Sequence, residues 1–182
     1  MPFPLVFSAC HTDCVRTRDA RWGIDRVVVH TAEGTYKGTI SWFKRSAKER
    51  NASYASATHY VLARTGEVTQ MAQERDRLIH AGSKSQPGWN DRSIGIELEA
   101  WSGTAKPPSS IKFPVRDFPD VQIQSLAELI HGICTRNNIP MDRTHIVGHG
   151  EIPGQTHTDP GPTFPWDKLM AAVAFGGLDS PV

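Results

Sequence analysis

Eight histidines are spread through the 182 residues, and imidazole suits both metal binding and proton transfer near neutral pH. Three of them close predicted strands: His30, His80 and, one residue past its strand, His149. Side chains at neighbouring strand ends converge on one edge of a sheet, where ligands gather. Asp159 follows His149 by ten positions across a Gly/Pro loop, and Pro160-Gly161-Pro162 stiffens the backbone beyond it. Two imidazoles and a carboxylate, His30, His149 and Asp159, make a zinc set with an open fourth position, which a hydrolytic zinc site requires. The three are far apart in the chain and satisfy no compact zinc pattern. A blander reading stands beside this one: His30 bonded to backbone at a strand end, and Asp159 forming a turn before Pro160. Spacing alone leaves both open.

The elements that must position these residues can be read from periodicity. Ile24–His30 (IDRVVVH) is β-branched and predicts a buried strand. From Thr39 to about Arg50, apolar Ile40, Phe43 and Ala47 share one helical face. Thr58–Ala63 and Glu67–Met71 flank Gly66 as strand, turn and strand. Arg77–His80 reads as a short strand, and Ser83–Asn90, with Pro87 and Gly88, as a loop. Ser93–Ala100 (SIGIELEA) alternates with period 2 and predicts a strand. Ser102–Pro119 holds four prolines and reads as a long loop. Asp120 is placed to cap a helix to about Asn137, with Ile123, Leu126, Ile130 and Ile133 on one face. His145–Val147 is a short strand, and Trp166–Phe175 a last helix. The order is β-α-β-β-β-β-α-β-α. It implies an α/β class: a single domain with a central mixed β-sheet flanked by helices. Residues 1–23 read as an irregular N-terminal segment, 24–175 as the catalytic domain and 176–182 as a C-terminal tail or linker start.

Composition narrows the function further. Hydrophobic residues are 38% and charged residues 21%, a globular balance that excludes a disordered chain. A net charge of +1 argues against nucleic acid as a partner. No apolar run is long enough for membrane insertion. The N-terminus lacks a basic region, and Pro2 and Pro4 break its apolar stretch, so synthesis in the cytoplasm without a signal peptide is expected. Cys10, Cys14 and Cys134 are too few for a disulfide framework. Cys10-His11 with Cys14 is incomplete as a structural zinc site. Free thiols are the expectation there, and a Cys10–Cys14 disulfide the alternative outside the cell.

Five strings in order carry a resemblance: VVVH (27–30), SATHYVLARTGEV (56–68), IHAGS (79–83), SIGIELEA (93–100) and VGHGEIPGQTHTDPGPTFPW (147–166). Together they resemble the zinc-dependent N-acetylmuramoyl-L-alanine amidases of the amidase-2 type. That family includes phage endolysins, a cytosolic amidase of bacterial wall recycling and the animal peptidoglycan recognition proteins. The resemblance spans about residues 24–170. It implies that His30, His149 and Asp159 hold one Zn2+, the same set the strand-end argument selects. It also implies that Glu97, not Glu99, is the catalytic carboxylate; the two share a strand face, so alternation cannot separate them. Two residues before the third ligand the family often has Lys. Here it is His157, which can still donate to a developing oxyanion but titrates far lower than Lys. A Tyr that some members carry before the His of the H-Y-V string is Thr58 here, so that role does not transfer.

The resemblance implies hydrolysis of the amide between N-acetylmuramic acid and L-alanine in peptidoglycan, lysing the wall as an endolysin does. Action on the wall after holin-type release, by a monomer, fits that reading. Its alternatives are a cytosolic amidase recycling anhydromuropeptides and a non-catalytic peptidoglycan-binding module. Ala81, Gly82, Asn90 and Trp101 are the candidate substrate contacts; Trp89 and Trp166 are weaker ones. His59 and His80 read as packing residues or as partners that orient a ligand.

Overall fold

A computed structural model describes residues 5–82, 88–103 and 106–176. The loop expected at 83–90 is therefore described only from Gly88, and 177–182 of the expected tail lie outside the described residues.

Among the described residues, eight strands form two sheets: β1 (Leu5–Phe7), β2 (Arg16–Thr17), β3 (Arg26–Thr31), β4 (Tyr60–Leu62), β5 (Val68–Gln70), β6 (Asp76–Arg77), β7 (Ser93–Leu98) and β8 (Ile146–Gly148). The large sheet has the order β1-β5-β4-β7-β3-β8. Only β4 and β5 pair antiparallel within it; the other neighbours are parallel. This is the mixed sheet expected from the element order. β2 and β6 make a separate antiparallel pair.

Alternation along the central strands sorts the two faces. Val27 and Val29 of β3 and Ile94, Ile96 and Leu98 of β7 meet the helices α3 (Asp120–Asn137) and α4 (Trp166–Ala174) in one buried cluster. Ile123, Leu126, Ile130 and Ile133 are all at or below 1% exposure, and each contributes roughly 1.5–3 kcal/mol by burial. α3 ends at Asn137 as the sequence suggests, with Asn138 in the left-handed region closing it, but Asp120, read as its cap, is its first residue and Pro119 holds the cap position. The opposite face of the sheet is filled by Phe43, Val61, Met71, Leu78, Cys10 and Cys14, and beside them by Val28, Ala81, Val147 and Ile152.

Three local expectations are corrected. The first helix is α1, Tyr36–Phe43, and not Thr39 to Arg50. Thr35 caps it three residues early by accepting from the Gly38 N–H at 3.2 Å. Beyond Phe43 the chain turns, because Asp13 Oδ2 takes the Ala47 N–H at 3.0 Å and Arg50 Nε donates to Arg45 O. Ala47 keeps its apolar contacts from that turn, which is why its helical spacing misleads. Second, the strand expected at Arg77–His80 is only Asp76–Arg77. The N–H groups of His80 and Ala81 donate to Asn90 Oδ1 at 2.9 and 2.8 Å, so a side chain replaces the strand ladder there. Third, the segment read as irregular before residue 24 contributes β1 and β2. A one-turn helix, α2 (Trp89–Arg92), precedes β7.

Candidate functional site

β3, β7 and β8 run parallel, so their C-terminal ends lie on one edge of the sheet. His30 of β3 is in register with Glu97 of β7, and both occupy the face opposite the helices. β8 pairs with β3 up to Gly148 beside Val29, which brings His149, the next residue, level with His30. Asp159 returns to the same spot because Gly150 donates its N–H to Asp159 O at 2.9 Å. A Cβ on residue 150 would sit 2.9 Å from Thr158 Cα, so the close approach needs glycine.

The three donors converge. The ligating atoms of His30, His149 and Asp159 lie within 4.8 Å of one another. His30 Nδ1 is 3.4 Å from Asp159 Oδ2, and His149 Nδ1 is 3.2 Å from Asp159 Oδ1. Tetrahedral zinc with ligand bonds near 2.0–2.1 Å separates its donors by about 3.3–3.4 Å, so the set fits a divalent cation. Protonation agrees. Burial holds the His30 imidazole below its usual range and thus neutral. Burial alone raises Asp159, yet hydrogen bonds from His149 and His30 outweigh it and hold the carboxyl well below the usual carboxylate range. Neutral imidazoles and an ionised carboxylate are the forms a metal takes.

A further row of imidazoles backs the first. His30 Nε2 is 3.0 Å from His80 Nδ1, and His80 is driven well below its usual range by burial and by the charge that His30 and its neighbours would carry. β7 lets His80 in through Gly95, where a Cβ would fall 2.6 Å from His80 Nδ1. The Gly95 N–H donates to His59 Nδ1 at 3.1 Å, and His59 Nε2 reaches Asp76 O at 3.0 Å. Burial, then Arg18, lowers His59 to about 3.

Glu97 and Glu99, inseparable by alternation, are separated by their partners. Glu99 accepts backbone N–H groups, Tyr36 at 2.9 Å and Arg64 at 3.0 Å, and so anchors α1 to the turn after β4. Glu97 lines the cleft with His30, His149 and Asp159. Burial, with the Asp159 and Glu33 carboxylates behind it, pushes Glu97 up to about 8. His157 is 63% exposed; it stacks on His149 with ring centroids 4.4 Å apart and holds Nδ1 3.9 Å from Asp159 Oδ1.

The cleft encloses about 770 Å³. Gly82 and Trp101, named above as candidate substrate contacts, line it. Ala81 and Asn90, expected to touch substrate, lie beneath the surface instead. Ala81 is fully buried, and buried Asn90 spends its carbonyl on His80 and Ala81. Trp89 packs under Arg26 and beside Val28, Ala81, Val147 and Ile152. Trp166 packs against Phe164 and Arg143.

Two residues that pattern reading does not single out hold the site. Glu33, at a left-handed φ of 48°, accepts from Thr31 Oγ1, from the Ser102 N–H and hydroxyl and from the Gly103 N–H. It thereby fixes the wall at Trp101–Gly103. Arg18 donates to the carbonyls of Glu74, Asn90, Asp91 and Ser93. Neither belongs to a periodic segment; only the left-handed backbone after β3 could have drawn attention to Glu33.

A mixed sheet presenting two imidazoles, a carboxylate and a raised glutamate at one strand edge has the layout of a metal-assisted hydrolase. Residues 19–162 match the family model described as N-acetylmuramoyl-L-alanine amidase, and the chain belongs to that family. It is 29% identical to N-acetylmuramoyl-L-alanine amidase A of Achromobacter lyticus, over 83% of this chain and 84% of that protein. With the 1,6-anhydro-N-acetylmuramyl-L-alanine amidase AmpD of Citrobacter freundii it shares 34% identity over 64% of this chain, but spans only 57% of that relative. Among solved structures it resembles the Escherichia coli amidase AmiD in complex with anhydro-N-acetylmuramic acid-L-Ala-D-gamma-Glu-L-Lys. The TM-score is 0.64 at 26% identity, covering 91% of this chain and 62% of that one.

Proposed function

We propose that the protein hydrolyses the amide joining the lactyl group of N-acetylmuramic acid to L-alanine, with one Zn2+ held by His30, His149 and Asp159. The observation that carries this reading is the meeting of those three donors beside Glu97, in a chain of this family. Zinc supplies Lewis acidity there, polarising a carbonyl and acidifying water.

The chain's own residues do the remaining work. Glu97 accepts the proton of the attacking water on a carboxylate oxygen. A raised proton affinity lets Glu97 hold that proton until the C–N bond breaks. It then passes the proton to the alanine nitrogen as the C–N bond breaks. His157 donates to the carbonyl oxygen as negative charge grows on it. His80 fixes the ring of His30, and Gly82 and Trp101 offer backbone and indole to the substrate. The proposed chemistry is complete within one chain, and the protein would act on peptidoglycan as a monomer. No helix among the described residues is long and apolar enough to cross a membrane.

The physical form of the substrate admits two readings. The sequence resemblance to endolysins favours intact wall, reached after holin-type release. The relatives named for 1,6-anhydro-muramyl substrates favour soluble fragments. Incubation with purified sacculi and, separately, with soluble anhydromuropeptides tests both at once through newly exposed L-alanine amino groups. Release from either supports amide hydrolysis, and the faster substrate selects the reading. Binding to both without new amino groups contradicts the proposal and favours a non-catalytic binding module.

A further inference from the structure

Behind one wall of the cleft lies a cluster of reactive groups that the hydrolytic reading leaves idle. Cys10 and Cys14 are 7% and 0% exposed, packed with Phe43, Val61, Met71 and Leu78. Both are free thiols. The chain between them tightens into a 3-10 turn at Thr12–Cys14, closed by the Cys14 N–H on His11 O at 2.9 Å. That turn leaves the two thiols four residues apart in one buried cluster.

A cation completes the cluster. Arg50 is buried, and its Nη2 donates to Cys14 Sγ at 3.3 Å. Its other donors are fixed on Arg45 O and Ser56 O, so the guanidinium cannot swing away. Thiolate is the nucleophilic form of cysteine, and an adjacent guanidinium favours it. The neighbouring Cys10 thiol, with Arg50 behind it, lowers Cys14 to about 6 against the opposing effect of burial, while Cys14 in turn pushes Cys10 up. The two sulfurs are therefore unequal, one suited to attack and the other to resolve.

We infer that Cys10 and Cys14 form a peroxide-reactive pair that closes to a disulfide, with Cys14 as the attacking sulfur and Cys10 as the resolving one. The Cys14 thiolate attacks one oxygen of hydrogen peroxide. The O–O bond breaks, hydroxide leaves and is protonated to water, and Cys14 becomes a sulfenic acid. The Cys10 sulfur then attacks Cys14 Sγ; its proton goes to the departing hydroxyl, and a second water leaves. Two thiols lose two electrons and peroxide gains them. Cys14 Sγ lies 3.6 and 3.8 Å from the carbonyl oxygens of Phe43 and Ser56, two residues that line the cleft. The pair thus sits directly behind the cleft wall. Cys134 provides an internal control. It is buried on the helix side of the sheet, and burial pushes it up to about 11.

The test uses the whole chain with a small excess of hydrogen peroxide, followed by alkylation in denaturant, trypsin and mass spectrometry. The peptide ending at Arg16 should become lighter by two hydrogens and recover on treatment with dithiothreitol, while Cys134 stays open to alkylation. In Cys10→Ser, oxidation should stop at a sulfenic acid on Cys14 that a dione reagent labels. In Cys14→Ser, peroxide-dependent loss of thiol should slow by about tenfold or more. Cys134 oxidising as fast as Cys14, or oxidation of both Cys10 and Cys14 without a link between them, overturns the inference. The rate comparison is made within the native chain, so it decides the matter even if either variant fails to fold.

Discussion

Glu97 is the side chain on which the chemistry turns. Its position beside the three convergent donors comes from register with His30, and its raised proton affinity comes first from burial. Glu97→Gln keeps the shape and removes the base. It should lower kcat by about 10²-fold or more, the usual worth of a positioned acid–base group. Metal content should stay unchanged, as elemental analysis beside the kinetics will reveal. Unaltered turnover would remove Glu97 from the mechanism. At this scale much of the site is legible in the sequence. His30 and His149 sit at the ends of readable strands, and Asp159 is a metal-binding residue type in the Gly/Pro loop that follows. Glu97 and Glu99 are not separable by pattern, because which carboxylate bonds to backbone depends on α1 and the turn at Arg64, distant in sequence. The burial of Ala81 and Asn90 is not legible, since it arises where the Asn90 side chain takes the backbone N–H groups of His80 and Ala81.

Strands do more here than carry side chains to an edge. β7 admits His80 against its backbone only because residue 95 has no side chain, and His80 in turn orients His30. Gly95→Ala should displace His80 while leaving β7 paired. Partners of this kind are worth about 10–100-fold in metal affinity. Competition titration against a chelator should find a loss of that size, with the circular dichroism spectrum retained. Wild-type affinity in Gly95→Ala would mean that His80 does not support His30. Long, strongly periodic elements such as α3 are legible to within a residue, because four apolar positions on one face leave no other fit. α1 is not, because its start depends on a threonine cap and its end on Asp13, far back in the chain. β2 and β6 are two residues each and hold no periodicity to read.

Over the whole molecule, a buried row of neutral imidazoles makes stability depend on pH. The folded-state value of His59 is about 3, against an ordinary 6.5. Between those values the unfolded chain binds the proton and the folded chain does not. Stability therefore falls as pH drops below about 6.5 toward 3, and this group adds no dependence above that window. His30 and His80, both lowered by burial, act in the same direction. Glu97, raised by burial, acts the opposite way between about pH 8 and 5. Denaturant unfolding of the metal-free Glu97→Gln chain at pH 7.5 and pH 5 should therefore show the loss, and equal midpoints in that variant would argue that the imidazoles are not buried neutral. The central claim is that His30, His149 and Asp159 hold the zinc that amide hydrolysis needs. Its most direct test is metal content measured together with L-alanine amino groups released from muropeptide, before chelation, after it and after zinc is restored. The account predicts about one zinc per chain, loss of release on chelation and recovery with zinc; an Asp159→Ala chain should neither retain the metal nor recover. Undiminished release from a thoroughly demetallated protein would contradict it.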